Sequence, residues 1–165
     1  MRRLQSIIVI ILLTFVYLFA GNFDFTLPDL RNKRQSYSEL KGEKLTVLDF
    51  WATWCKPCQQ SIPKIVELYD LYKDKGVEII GISVDSPRNL TKVKPVSEAL
   101  GISYPVLLDT NNELMGDMHI MVIPTLLILN SQDEVVYRHQ GYRPGDEKVI
   151  AEELDKLLEK TQPRE

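Results

Sequence analysis

The feature that most constrains this chain is its only pair of cysteines, Cys55 and Cys58, which lie between a strand-like and a helix-like segment. Residues 45–51 (LTVLDFW) form a short, mostly apolar and partly β-branched run that is typical of a buried strand. From Ile62 to Tyr72, apolar side chains recur at helical spacing. The sequence therefore predicts a strand, a turn and then a helix whose first turn holds both cysteines.

A cysteine at the start of a helix is activated by its surroundings. Unpaired backbone N–H groups and the positive end of the helix dipole face the first sulfur and favour its thiolate. The two-residue spacing brings the sulfur of Cys58 within bonding distance of that of Cys55. We therefore predict that Cys55 attacks a substrate disulfide and that Cys58 resolves the mixed disulfide, which leaves a Cys55–Cys58 disulfide.

Two other uses of the cysteine pair stay open at this point. One is a structural disulfide, although so short a loop restricts the unfolded chain little. The other is half of a zinc or copper site completed by His119 and His139, although these lie in different predicted elements without ligand-like spacing. Because disulfide exchange needs neither a metal nor an organic cofactor, we expect neither.

Length and charge narrow the function further. The 165 residues suffice for one domain of ordinary size. The 20 basic and 23 acidic residues are interspersed, and the net charge of −3 leaves no basic patch that would bind nucleic acid. With only two cysteines, the chain is not a disulfide-dense secreted miniprotein.

The first residues differ from the rest of the chain. Met1–Arg3 is followed by an apolar run, Ile7–Ala20, which would span about 21 Å as a helix, against about 30 Å for a bilayer core. With a small residue at its end, this pattern is typical of an export signal; the alternative is an uncleaved anchor with the arginines on the cytoplasmic side. We predict a signal peptide or membrane anchor at residues 1–21. Residues 22–165 then form a domain in the periplasm or at the outer face of the cytoplasmic membrane.

The rest of the chain alternates strand-like and helix-like segments. Residues 77–82 predict a second buried strand, residues 93–100 a short helix, and residues 125–139 a hairpin with a polar turn. Apolar positions from Ile150 to Leu158 predict an amphipathic last helix with Asp146 as its N-cap. The resulting order, β-α-β-α-β-β-α, is an α/β fold with a mixed sheet.

The segment DFWATWCKPC at residues 49–58 resembles the active-site motif of the thioredoxin superfamily, specifically of the exported TlpA/ResA-like thiol–disulfide oxidoreductases. The likeness continues in FDFTLPDL at residues 23–30, in GISVD at residues 81–85 and in YPVLLD at residues 104–109. It implies a thioredoxin fold in which helices flank a mixed central sheet. It also implies an N-terminal strand extension and a central βα insertion.

The same resemblance implies a surface that binds the substrate. Ile123–Pro124 matches the family's cis proline beside the sulfurs, and a cis bond lets Ile123 present its N–H and C=O to an extended substrate chain. An ordinary trans proline at the start of a strand is the alternative. We predict that the substrate is bound by five residues: Trp54, Lys56, Pro57, Ile123 and Pro124.

Two positions depart from the family pattern. Three residues after Cys58, where the family commonly has a glutamate, this chain has Ser61; six residues before Cys55, where asparagine is common, it has Asp49. A buried carboxylate has a raised pKa and can accept the proton of Cys58 directly or through a water. We therefore predict that Asp49 is a catalytic base; the alternative is a carboxylate that is only hydrogen-bonded within its strand.

These observations predict an extracytoplasmic thiol–disulfide oxidoreductase that reduces disulfides in exported proteins, for example during cytochrome c maturation. The resemblance implies a membrane protein as the electron donor. Pro57 lacks an N–H that could point at the Cys55 sulfur, and the solvated charge of Lys56 has a weak effect, so the pair should be reducing. The alternatives are a disulfide-forming oxidase and a non-enzymatic thioredoxin-fold metallochaperone or binding module.

Overall fold

The computed structural model describes residues 23–161, so the predicted leader at residues 1–21 lies outside the described residues. The strands of this part of the chain are β1 (Thr26–Pro28), β2 (Arg34–Ser36), β3 (Leu45–Trp51), β4 (Val77–Ser83), β5 (Val106–Leu108), β6 (Thr125–Asn130) and β7 (Val135–Gln140). Its helices are α1 (Tyr37–Leu40), α2 (Lys56–Tyr72), α3 (Leu90–Ala99), α4 (Glu113–Asp117) and α5 (Asp146–Lys160), with a 3-10 turn (Lys73–Lys75) after α2. None of these described helices has the length and apolar character needed to cross a membrane.

Five strands form a mixed central sheet in the order β5-β4-β3-β6-β7. β3 pairs in parallel with β4 and antiparallel with β6, so the sheet changes direction at its central strand. Every residue of β3 is buried. A continuous apolar run without alternation is what a strand covered on both faces requires, and the structure confirms both the predicted strand and the mixed sheet.

Two apolar clusters pack against the sheet. Val47 packs in one cluster with Ile150 of α5. Phe50 packs in the other with Val93 of α3, and the two cysteines belong to this second cluster. α2 contributes side chains to both clusters. The helix that begins at the active site is therefore anchored on the sheet along its length.

The N-terminal strand extension is confirmed, as a separate two-stranded sheet. β1 and β2 pair antiparallel with each other, and an isolated bridge between Asp29 and Leu107 connects this pair to β5. The rings of Phe23 and Phe25 pack against that of Tyr37, with centroids 5.1 and 5.2 Å away. The extension thus covers the β5 side of the molecule through aromatic and main-chain contacts.

The central insertion comprises α3, β5 and α4, which lie between β4 and β6. The predicted helix near residues 93–100 is confirmed as α3, and Gly101 follows it with a positive φ of 73°. The simple order read from periodicity lacks β5 and α4. β5 has three residues and is held by parallel pairing with β4, so local periodicity carries no signal for it.

The predicted N-cap of the last helix is wrong by one residue. Asp146 is the first residue of α5, and the cap is Gly145, which has a φ of 105°. The carboxylate of Asp146 still acts at the helix start, where it accepts the N–H of Arg143 at 2.7 Å and contacts Nε2 of His139 at 3.0 Å. The N-cap position of α5 is left-handed and therefore favours a glycine, whereas the sequence pattern predicted an aspartate as the N-cap.

Candidate active site

The two cysteines lie where β3 passes into α2. β3 ends at Trp51, and Cys55 is the N-cap residue of α2. Cys55 and Cys58 form a disulfide with their Cα atoms 5.3 Å apart. The N–H of Cys58 donates to Sγ of Cys55 at 3.2 Å, so a first-turn donor that lacks a helical partner is directed at the first sulfur. This is the local environment that the helix start predicts.

The two sulfurs differ in their access to solvent. Cys55 is 5% exposed, whereas Cys58 has no exposed surface. Because disulfide exchange requires one sulfur to approach another in line, the small exposed fraction of Cys55 favours it over Cys58 as the sulfur that a substrate meets first. The geometry therefore supports attack by the first cysteine and resolution by the second.

A groove beside the pair contains the predicted cis proline. The Ile123–Pro124 peptide bond is cis, as predicted. Both residues line a groove of about 470 Å³ together with Pro57 of α2 and the segment that connects β7 to α5. Gly141 in that segment donates its N–H to the carbonyl of Pro124 at 2.8 Å. Three of the five predicted substrate-binding residues thus meet in one groove.

The other two predicted substrate-binding residues are exposed and do not line this groove. Trp54, whose side chain is 61% exposed, and Lys56 lie on either side of Cys55 in the chain. Met121 is 85% exposed and Val122 is also exposed, just before the cis bond. Apolar side chains therefore reach solvent both in the loop before Cys55 and in the loop before the cis proline.

Asp49 is buried in β3, opposite Gly81 of β4 and Leu126 of β6. Burial raises the pKa of Asp49 to about 7, and the hydrogen bond from the hydroxyl of Tyr104, at 3.5 Å, opposes this rise. A carboxyl group with such a pKa is partly protonated near neutral pH. It can therefore accept or release a proton under the conditions in which thiols exchange.

A small cavity of about 20 Å³ lies next to Asp49 and is also lined by Ser61 and Pro124. This volume is enough for about one water molecule, which needs roughly 10–15 Å³. The side chain of Ser61 donates to the carbonyl of Cys58 at 3.0 Å, so its hydroxyl stays within its own helix. Asp49 is the carboxylate that borders this cavity from the sheet, and Ser61 contributes no ionisable group to it.

Tyr104, the partner of Asp49, lies 55 positions away in the chain and was missed as a site residue. A side chain at Gly81 would place its Cβ 3.1 Å from the ring of Tyr104 and 3.3 Å from Nε1 of Trp51. The glycine therefore leaves room for the tyrosine ring beneath the strand. No local pattern signals this contact, because it depends on the pairing of β3, β4 and β5.

A second missed residue, Asp85, contacts the loop that carries Cys55. Asp85 is completely buried just beyond β4. It accepts the backbone N–H of Thr53 at 2.8 Å and the hydroxyl of Thr53 at 2.6 Å. The sequence indicated Asp85 only as part of a strand-end motif.

In the part of the chain that the structure describes, neither histidine forms a hydrogen bond with a cysteine or with the other histidine. His139 contacts Asp146 at 3.0 Å, and His119 is exposed with a φ of 52°. Among residues 23–161, no group of three or more His, Cys, Asp or Glu side chains is placed to hold a metal ion.

Together, the fold and the Cys-x-x-Cys pair at the start of α2 define a thioredoxin-fold thiol–disulfide oxidoreductase. Comparison with known proteins gives the family. The model of the AhpC/TSA family matches residues 22–138, and the chain belongs to this family, among relatives named thiol-disulfide oxidoreductase ResA.

One such relative, ResA of Geobacillus kaustophilus, is 31% identical over 140 residues, which are 85% of this chain and 75% of the relative. ResA of Bacillus cereus is 34% identical over 136 residues, covering 82% of this chain and 71% of the relative. Among solved structures, StoA from Bacillus subtilis is similar with a TM-score of 0.65 and 29% identity, over 84% of this chain and 98% of StoA. A thioredoxin-like protein from Porphyromonas gingivalis is similar with a TM-score of 0.70 and 31% identity, over 84% of this chain and 92% of that protein.

Proposed function

We propose that this thiol–disulfide oxidoreductase works outside the cytoplasm as a reductase of disulfides in exported proteins, of which apocytochrome c is one example. The observation that carries the proposal is the asymmetry of the pair. Cys55 retains a small exposed fraction and receives the N–H of Cys58, whereas Cys58 has none, and Pro57 between them lines the groove of the cis proline. Such a pair takes an external disulfide at one sulfur and resolves it internally at the other.

The reaction begins from the reduced pair. The thiolate of Cys55 attacks one sulfur of the substrate disulfide, a mixed disulfide forms, and the other substrate sulfur leaves as a thiolate. Cys58 then loses its proton and attacks the sulfur of Cys55, which releases the second substrate thiolate and forms the Cys55–Cys58 disulfide. Two electrons pass from the pair to the substrate. A membrane thiol donor restores the dithiol by the same exchange in reverse.

Asp49 serves as the proton acceptor for Cys58 in this scheme. Burial raises the pKa of its carboxyl group to about 7, and the cavity beside it has room for one water; Ser61, which also lines the cavity, donates to the carbonyl of Cys58. Ser61 has no carboxylate to offer in this role. Asp49 therefore performs the acid–base step that a glutamate at position 61 would otherwise perform.

The substrate enters as an extended chain along the groove between Pro57 and the cis proline. Ile123 offers its backbone N–H and C=O to that chain, while Trp54 and Lys56 contact it from the exposed side of Cys55. The apolar leader at residues 1–21, with its basic start, supports a location outside the cytoplasm, in the periplasm or anchored at the outer face of the membrane.

The reducing direction is supported by the residues between the cysteines. A strong oxidant stabilises its reduced thiolate heavily, but Pro57 removes one N–H from the first turn, so the N–H of Cys58 is the donor that reaches Cys55. Cys55 should therefore stabilise its thiolate less than the nucleophilic cysteine of a strong oxidant does.

The reduction potential tests this direction. Equilibration of the purified protein with a glutathione redox buffer should give a value nearer to about −270 mV than to about −120 mV, and more negative than about −200 mV. A value above about −160 mV would show that the protein works as an oxidase.

A further inference from the structure

Thr53 lies between β3 and Cys55, and each of its polar groups has a partner from another part of the chain. Its N–H and its hydroxyl donate to the two carboxylate oxygens of Asp85, at 2.8 and 2.6 Å. Its carbonyl accepts from Nε2 of Gln59 at 2.6 Å. A loop residue is thus held from the end of β4 on one side and from the first turns of α2 on the other.

Asp85 is buried in the interior, where it makes these contacts. It has no exposed surface, and besides Thr53 it accepts the hydroxyl of Ser83 at 3.0 Å. Burying a carboxylate costs much free energy unless donors satisfy its oxygens. All three donors are neutral, and two of them belong to Thr53. Thr53 therefore provides most of the hydrogen bonding that stabilises this buried carboxylate.

The position of the contact matters most when the disulfide is open. In the oxidised protein, the covalent bond itself holds Cys55 against α2. After reduction, noncovalent contacts alone keep the sulfur of Cys55 near the N–H of Cys58. One of them joins the N–H of Cys55 to the carbonyl of Ala52, at 3.1 Å, within the same loop. That loop is anchored to the rest of the fold by the contacts of Thr53 and by Cys55 itself, whose carbonyl accepts the N–H of Gln59 at 3.1 Å.

We propose that Asp85 is a positioning residue for thiol–disulfide exchange: with Gln59 it holds Thr53, and so keeps the reduced Cys55 sulfur on the N–H of Cys58. This inference rests on the exchange chemistry at Cys55 and not on its direction or its substrate. When the clamp is lost, the Cys55 thiolate loses part of its hydrogen bonding, so its pKa rises and the reduced state becomes less stable.

The charge of Asp85 acts in the opposite direction. A negative carboxylate near Cys55 disfavours the thiolate, so its removal alone would lower the pKa of Cys55. Positioning and charge therefore predict shifts of opposite sign. Thr53→Val separates them, because it removes the hydroxyl donor and retains the carboxylate; Thr53→Ser is the matched control that restores the hydroxyl.

The experiment compares full-length wild type, Thr53→Val, Thr53→Ser, Asp85→Ala and Asp85→Asn. The pH dependence of iodoacetamide alkylation of the reduced proteins gives the pKa of Cys55, and equilibration with glutathione gives the reduction potential. All variants retain the other ionisable groups around the pair, including Asp49 on β3, Lys56 and Lys64 on α2, and His139, Arg143, Asp146 and Glu147 across the groove and cavity.

We expect Thr53→Val and Asp85→Ala to raise the pKa of Cys55 by about 0.5–1 unit, which reduces the thiolate fraction below that pKa about three- to tenfold. The reduction potential should become more negative, because both forms lose the clamp itself but only the reduced form also loses stabilisation of its thiolate. Thr53→Ser should match wild type. Asp85→Asn should retain most of the positioning and so avoid the rise in the pKa of Cys55, since its amide can still accept the Thr53 N–H and donate to the hydroxyl.

Two results would overturn the proposal. Lower melting temperatures with an unchanged Cys55 pKa and potential would show that the clamp only stabilises the fold. A lower Cys55 pKa in both Asp85 variants would show that the charge of Asp85 dominates. If Asp85→Ala fails to fold, the Thr53 pair still decides between these results. A wild-type potential on the oxidising side would contradict the proposed function but leave the comparison among variants valid.

Discussion

Cys55 and Cys58 are separated by two residues but have different surroundings. Cys55 caps the helix and reaches solvent, while Cys58 is enclosed and its N–H is used by the first sulfur. The difference arises where the chain turns from β3 into α2: Lys56 and Pro57 of the first helical turn are exposed, while Cys58 points into the core. At the scale of single residues, this turn supports the proposed roles of Cys55 as the attacking and Cys58 as the resolving cysteine.

The first prediction concerns this division. Cys58→Ser should leave an enzyme that attacks disulfides but accumulates mixed disulfides, because no second thiol resolves them. Cys55→Ser is the matched control and should lose disulfide reduction by at least about 1,000-fold, since the buried sulfur of Cys58 cannot be reached. Non-reducing gels and mass spectrometry of trapped partners make the comparison. Full activity in Cys55→Ser would show that Cys55 is not the nucleophile.

The second prediction concerns the proton of Cys58. Asp49→Asn retains the size of the side chain and an acceptor for the Tyr104 hydroxyl, but it cannot take up a proton. The release of the mixed disulfide should slow about 100-fold or more above pH 7, where the wild-type carboxylate is charged, because general-base catalysis typically contributes 10²–10⁴-fold. Stopped-flow measurement of product release tests this. An unchanged rate would assign Asp49 to structure alone.

The third prediction concerns stability, since burial raises the pKa of Asp49 from 3.8 to about 7. Below about pH 3 the carboxyl group is protonated in both the folded and the unfolded states and has no effect on stability. As the pH rises to 7, the unfolded chain loses this proton first, so the folded protein loses roughly 4 kcal/mol of stability at most. At pH 8, oxidised Asp49→Asn should therefore melt several degrees above wild type, whereas at pH 3 the two proteins should melt at the same temperature. Equal melting temperatures at both pH values would contradict the raised pKa.

At the scale of secondary-structure elements, the site depends on how closely β3, β4 and β5 approach one another. Gly81 pairs with Asp49 in β3 and with Val106 in β5. It leaves the space into which the ring of Tyr104 packs beside Trp51. The absence of a side chain at one position of β4 therefore allows a tyrosine from the following segment to reach the carboxylate of the central strand.

The fourth prediction tests this packing. Gly81→Ala places a methyl group 3.1 Å from the Tyr104 ring, and the resulting overpacking should destabilise the protein by about 1–3 kcal/mol. Displacement of Tyr104 also weakens the hydrogen bond that opposes the raised pKa of Asp49, so that pKa should rise further. Urea unfolding and an NMR titration of Asp49 measure the two effects.

Gly116→Ala is the control for this experiment. A Cβ at Gly116 in α4 would have no heavy atom within 4 Å, so alanine should be neutral or stabilise the helix by up to about 1 kcal/mol. If both substitutions had the same effect, the close approach at Gly81 would not be the cause.

At the scale of the whole molecule, the N-terminal extension joins distant parts of the chain. The hydroxyl of Tyr37 donates to Asp133 in the β6–β7 turn at 2.9 Å, and Nζ of Lys41 contacts the same carboxylate at 2.8 Å. The extension also bridges to β5 through Asp29. It therefore contacts both the insertion and the C-terminal hairpin, and its fold depends on both.

The fifth prediction concerns the full chain and its leader. Mass spectrometry of the exported protein should give a mature N-terminus near Gly21 if residues 1–20 are a signal, and the net charge then becomes −5 because two of the 20 basic residues are lost. An intact Met1 in the membrane fraction would show an uncleaved anchor instead. A product with an intact Met1 in the cytoplasmic fraction would contradict both forms of the predicted export.

The sequence alone determined the elements whose signal is local. The buried run of β3, the helical spacing of α2 and the cysteines between them depend on patterns within about 25 residues, and all are present in the fold. The resemblance to a family added the cis proline, which is also present. These features were accessible because periodicity and short motifs report which face of a segment is buried and where a turn falls.

The tertiary structure decided what surrounds those elements. Tyr104 reaches Asp49 across 55 positions and Asp85 reaches Thr53 across 32, and both contacts exist only because β3 lies beside β4. β5 forms because β4 offers it a parallel edge, and Gly145 rather than Asp146 caps the last helix. Hydrogen-bond partners, close packing and the pKa of a buried group depend on atoms that are near in space, and the chain order of a single sequence does not specify which those are.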